Sequence, residues 1–135
     1  MKMKKIITFG VFDYFHLGHL KLFENCKKYG DYLIVAVQDG NFILKFKPDS
    51  KIFYSTEERV HMVESLRVVD KVIVYEELTT SFLATIDFDV LALGEDHTAE
   101  RFVNAEKWCA EHGKEVVRMK RTPGICSSDI KSIKG

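Results

Sequence analysis

An α/β fold, with five parallel strands wrapped by helices on both faces, is what the sequence predicts, and three observations predict it. Short, almost continuously apolar runs recur along the chain, as strands covered on both sides should look. Between them lie stretches whose apolar residues return at helical spacing, and the two kinds alternate from end to end. Glycines close one run at Gly10 and a later one at Gly94. Right-handed crossovers turn such an alternation into a doubly wound, Rossmann-like sheet, whose ligands lie beyond the carboxyl ends of the strands.

Each element follows in turn. "KKIITFG" reads as the first strand, an apolar run ended by glycine. From Leu17 to Tyr29 the residues Leu20, Phe23 and Cys26 keep helical spacing, and Gly30 closes that helix. "DYLIVAVQ" is the second strand. The stretch "DGNFILKFKPDSKIFY" is predicted irregular and basic; it is the longest connection, and long connections often carry function. Ser55-Thr56-Glu57-Glu58 opens the next helix with a capping-box pattern, and Val60, Val63 and Leu66 mark its apolar side. Strand "DKVIVYE", a short helix across "TTSFLATI" and strand "DVLALG" come next. A longer helix is expected from Ala99 to His112, stopped by Gly113. Strand "EVVRMK", the loop "RTPGICSSD" and a last short helix end the chain.

Composition excludes several classes. The 135 residues are expected to form one domain, 1–135, long enough to bury a core. Twenty basic residues balance twenty acidic ones, so no global field draws in nucleic acid, and any anion site must be built locally. The opening apolar run is too short for a membrane span and lacks a signal-peptide cleavage pattern, so no membrane insertion is expected. Cys26, Cys109 and Cys126 form no CxxC pair, which argues against a disulfide framework and a zinc site. A reducing cytoplasm fits best.

The chemistry concentrates in "GVFDYFHLGH", Gly10 to His19. If the first strand stops at Gly10 and a helix starts near Leu17, free backbone N–H groups and the helix dipole together favour an anion there. His16 and His19 can project from one face of the first turn. Gly18 removes a side chain between them, so a bulky anion can approach the backbone. A phosphate chain satisfies this arrangement; two histidines without a third ligand make a poor zinc site, and no protein-held metal is expected. A surface histidine pair is the competing reading of HxxH alone.

Strand end, glycine, aspartate and HxGH together resemble the GxFDxxHxGH motif of the nucleotidylyltransferase superfamily. "RTPGICSSDI", Arg121 to Ile130, is similar to the RTxGISTT motif of the cytidylyltransferases, those of glycerol 3-phosphate and choline phosphate in particular. Arg121 offers a fork of donors to a phosphate, Gly124 permits a turn, and Ser127 and Ser128 can cap the final helix. Taken alone, this is also how a plain capping loop reads. "STEERVHMVESLRVVDKVIV" resembles the family segment with two arginines eight apart. Arg59 and Arg67 take those places and can share a helical face; Arg67 can alternatively pair with a carboxylate such as Asp70. In "LGEDH", Asp96 falls where the family holds its nucleotide, or it caps the following helix. Lys45 and Lys47 resemble the KxK of the family's basic loop, solvated lysines being the other reading.

Departures accompany the likeness. Val11 stands where threonine is usual, Cys126 where serine is, and His97 where tryptophan often is. Glycerol-3-phosphate members carry a tryptophan and then a lysine shortly after the third strand, whereas this chain reads "EELTTSF" there, without a base.

The resemblance implies transfer of CMP from CTP to a phosphorylated small alcohol, glycerol 3-phosphate being the first candidate, with release of pyrophosphate. It implies Mg²⁺ bound mainly through the CTP phosphates, a homodimer, and a product used as a cell-envelope polymer precursor. On matching positions His16, His19, Lys47 and Arg121 are the catalytic group. Val11, Phe12, Gly18, Asp96, Thr122, Gly124, Ile125, Cys126, Ser127 and Ser128 join them in holding the nucleotide. Lys45, Arg59 and Arg67 face the acceptor. Two alternatives stay open: an ATP-dependent adenylyltransferase of the FAD-synthase or heptose-phosphate type, and a nucleotide sensor without turnover.

Overall fold

The computed structural model describes residues 3–13, 17–95 and 97–119. Five strands form one sheet: β1 (Lys5–Gly10), β2 (Tyr32–Gln38), β3 (Lys71–Tyr75), β4 (Val90–Gly94) and β5 (Glu115–Met119). Every pairing is parallel and the order is β3-β2-β1-β4-β5. The chain therefore winds outward from β1 to β3, returns beside β1 at β4, and winds outward again. That reversal between β1 and β4 opens the crevice at the carboxyl edge where ligands of such sheets bind.

Side chains alternate along each strand and so build two cores. On one face Ile6, Leu33, Val35, Val37 and Val90 pack against Phe23 and Cys26 of α1 (Leu17–Cys26) and Val63 of α3 (Thr56–Glu64). On the other, Ile7, Phe9, Ile34, Leu91 and Leu93 pack against Leu83 of α4 (Thr80–Leu83) and Ala105 and Cys109 of α5 (Glu100–Glu111). A strand buried on both sides needs apolar residues at nearly every position, which explains the unbroken runs. The predicted doubly wound fold is present. Burial pushes the thiols of Cys26 and Cys109 up to about 12 and about 11, so both stay protonated and unreactive. Among the described residues no helix is long and apolar enough to cross a membrane.

Two local expectations are met and three are corrected. The capping box is complete: Ser55 accepts from the Glu58 N–H, and the Glu58 carboxylate accepts from the Ser55 N–H. The short helix after β3 is α4. The stretch expected to be irregular contains a helix, α2 (Gly40–Phe46), capped by Asp39, whose carboxylate accepts from the Asn41 N–H. Only Gly40 of α2 is buried, so the helix has no apolar stripe for a periodicity reading to find. The first helix stops at Cys26 and a turn carries the chain to Gly30. Finally, α3 ends at Glu64, so Arg67 lies beyond it, exposed, and shares no helical face with Arg59. Asp70 pairs with Lys27 at 2.5 Å and accepts from the Leu33 N–H at 2.8 Å, the partnership that the alternative reading of Arg67 gave to that arginine. The last predicted helix lies outside the described residues.

Candidate active site

The backbone departs from extended geometry just past the carboxyl end of β1. Phe12 has a left-handed backbone, φ 56°, unusual for a bulky residue and a mark of stored strain. Its buried ring meets Phe23 at 5.2 Å and the His19 ring at 5.5 Å, both edge-on. A Cβ on Gly10 would stand 2.7 Å from that ring, so glycine is what lets the aromatic fold back over the strand end. Asp13, also buried, accepts from the Phe53 N–H at 2.7 Å and the Tyr54 N–H at 3.0 Å. The turn is thereby tied to the segment ahead of α3, with His19 in the opening turns of α1.

Arg59 does the same work from beneath. Its side chain is fully buried, 0% exposed. One terminal nitrogen donates to the carbonyls of Val11 and Gln38, both at 2.8 Å, which joins the ends of β1 and β2. Nε donates to the Tyr54 carbonyl and the other terminal nitrogen to the Thr56 hydroxyl, each at 3.2 Å. Thr56 in turn accepts from the Gly40 N–H at 2.9 Å, bringing in the start of α2. Burial lowers the Arg59 pKa, and the nearby charges of Asp13 and Asp39 oppose that fall. The expectation that Arg59 meets an acceptor phosphate is therefore corrected: it is enclosed by carbonyls and rivets the loops that bound the cleft.

The cleft has two lobes. One, of about 650 Å³, is lined by Phe12, Asp13, His19 and Lys51. The other, about 470 Å³, lies between α2 and α5 and is lined by Phe42, Phe46, Tyr75, Glu77, Leu78 and Phe102. Both share Gly10, Val11, Gln38, Lys47, His97 and Arg101. Lys47 reaches this junction as the C-cap of α2, whereas Lys45 is exposed on the helix with its amine 5.7 Å from the Phe46 ring. His97 Nδ1 accepts from the Gly94 N–H at 3.0 Å, which places the proton of the neutral ring on Nε2. The same ring stacks on Phe102 at 4.3 Å and 9°. Arg118 donates to the Gly94 and His97 carbonyls at 2.9 and 2.6 Å and pairs with Glu106, holding the β4 end in place. Burial pushes the Tyr75 phenol up to about 12 against the positive charges of Arg101 and Arg59, so it is neutral at physiological pH.

Of the residues singled out in the sequence, Val11, Phe12, His19 and Lys47 come together on this cleft, with Gly18 in the first turn of α1 beside them. Lys45 and Arg67 are exposed and line neither lobe. His16, Asp96, Arg121, Thr122, Gly124, Ile125, Cys126, Ser127 and Ser128 lie outside the described residues. Sequence reasoning missed Gln38, Lys51 and Arg101. Gln38 was findable, since it ends β2 at the rim where ligands bind. Arg101, in the first turn of α5, reads in sequence as any solvated helix charge.

Such a rim, with a histidine at a helix start and lysine opposite, suits a polyanion. Known proteins point the same way. The model of the family described as cytidylyltransferase-like matches residues 7–133. The chain is 38% identical over 131 residues to the glycerol-3-phosphate cytidylyltransferase of Bacillus subtilis strain 168, covering 96% of this chain and 95% of that one. It is 37% identical over 132 residues to the enzyme of the same name from Staphylococcus aureus, covering 96% and 93%. The fold is also that of a lipopolysaccharide core biosynthesis protein from Thermoplasma volcanium, with a TM-score of 0.72 at 24% identity, over 90% of this chain and 98% of that one. A match running almost from end to end, on a sheet wound in this way, makes the chain a member of the cytidylyltransferase-like family.

Proposed function

We propose that residues 1–135 form a single cytidylyltransferase domain that transfers CMP from CTP to glycerol 3-phosphate. The observation that supports this best is the cleft at the carboxyl edge of β1 and β2, where His19 and Lys47 line one space, in a chain so similar to glycerol-3-phosphate cytidylyltransferases. An oxygen of the acceptor phosphate attacks the α-phosphorus of CTP, the bond from that phosphorus to the bridging oxygen breaks, and pyrophosphate leaves. The attacking oxygen is already ionised, so no general base is needed, and both reactants are anions. Catalysis is then a matter of placing them in line and offsetting charge as it shifts toward pyrophosphate.

The residues divide that work. His19, with His16 by resemblance, donates to the triphosphate beside the turn at Val11 and Phe12. Lys47 offsets charge between the two phosphates, and by resemblance Arg121, Ser127 and Ser128 hold the far end of the triphosphate. By the same resemblance Asp96, Thr122 and Ile125 hold the nucleoside. Among the described residues no group of three or more histidine, cysteine or carboxylate side chains is arranged to hold a metal, and Asp13 is taken up by backbone N–H groups. By the family resemblance Mg²⁺ binds mainly through the CTP phosphates, where it would supply charge neutralisation. The two described thiols, both free and buried, suit a reducing cytoplasm, and a homodimer is what the family resemblance implies.

The test is release of pyrophosphate from CTP, with ATP in parallel, in the presence of glycerol 3-phosphate and a panel of phosphorylated amino alcohols and sugars. Turnover with CTP and glycerol 3-phosphate is expected, and turnover confined to ATP would contradict the proposal. His19→Ala should lower kcat by ~10²–10³, the usual cost of losing one donor to developing charge. Near-normal turnover in that variant would remove His19 from the assignment.

A further inference from the structure

Resting on the reading above, we infer that Arg101 receives the phosphate of the acceptor and so sets specificity for a phosphorylated alcohol. The two lobes divide the substrates between them. The lobe at the β1–α1 turn carries His19 and Lys51, the groups suited to a triphosphate. The lobe between α2 and α5 is walled mainly by aromatic and aliphatic side chains and is left for the acceptor's carbon skeleton. For one substrate to attack the other, the two reacting phosphates must meet where the lobes join. The basic side chains bordering both lobes, histidine aside, are Lys47 and Arg101.

Three features turn Arg101 from a helix charge into a ligand. Its guanidinium carbon lies 4.6 Å from the centre of the Phe102 ring, a cation–π contact that holds the side chain against the ring without consuming its N–H donors. Phe102 is itself held by its stack on His97, whose ring is anchored to the Gly94 N–H. Among the described residues no carboxylate lies within ion-pair distance of Arg101. The neighbouring wall cannot supply the charge instead. After β3 the chain reads Glu76-Glu77-Leu78, and Glu77 lines the lobe with a group that repels a phosphate dianion. Arg59, the arginine that sequence reasoning placed here, is enclosed by backbone carbonyls. A planar fork at the junction can take two phosphate oxygens at once, which the lysine ammonium cannot.

Steady-state kinetics of the full chain, varying CTP and glycerol 3-phosphate separately, decide the matter. Arg101→Ala and Arg101→Gln should raise KM for glycerol 3-phosphate about 10- to 100-fold, the loss expected for charge-assisted hydrogen bonds, with KM for CTP within about twofold of wild type. Arg101→Lys should recover part of that loss through its charge alone. A rise in KM for CTP with the acceptor unaffected, or equal losses for both substrates, would overturn the inference, as would unchanged kinetics. Absence of CTP-dependent turnover in the wild-type protein would instead overturn the reading on which this rests, a result visible before any variant is made.

Discussion

Phe12 and Arg59 shape the cleft from inside the protein, one by strain and one by hydrogen bonding. A buried guanidinium with four acceptors around it is stable only while all of them stay in reach, since each orphaned carbonyl would cost the desolvation it had escaped. Arg59→Met should therefore lose about 3–5 kcal/mol in urea unfolding, as when a buried charge network is broken from one side. A loss below about 1 kcal/mol would contradict the rivet role. Lysine is no substitute, because one ammonium cannot span the carbonyls of Val11, Gln38 and Tyr54. The arginine's place in a family-like segment was legible in the sequence; its burial was not. A sequence pattern gives the helix on which Arg59 sits, but which of its faces meets the strand ends is a property of the packed sheet.

Elements are joined here by a few carboxylates placed at their ends. Asp70, just before β3 begins, links the turn after α1, through Lys27, to the start of β2, through the Leu33 N–H. Desolvation raises its pKa, but the hydrogen bond from Lys27 and that from Leu33 outweigh it and hold the carboxyl below the usual range. A depressed carboxylate contributes stability above its unfolded pKa of about 3.9, and that contribution is lost as pH falls through the lower, folded value. The difference in Tm between the wild type and Asp70→Asn should thus be steady near neutrality and shrink below about pH 4. A difference that grows with acidity would contradict the coupling. The strands and most helices were legible because burial on both faces, capping boxes and closing glycines leave marks in sequence. Helix α2 was not, because an exposed helix of seven residues capped by one aspartate leaves no stripe.

For the molecule as a whole, strand order decides where chemistry can happen. The reversal between β1 and β4 puts Gly10, Gln38 and the Gly94 end on one edge, so residues far apart in sequence share a cleft. The motif at Gly10–His19 already pointed to that edge, which is why His19 was legible, and Lys47 was legible through its likeness to the KxK of the family's basic loop. Arg101 was not, since only the packing of α5 against the β4 end turns it toward the same space. The account depends on a polyanion occupying the lobe beside His19. Diffraction from crystals grown with CTP and Mg²⁺ tests this most directly. The triphosphate is predicted between the β1–α1 turn, the His19 ring and Lys47; nucleotide density elsewhere, with that lobe empty at saturating CTP, would contradict it.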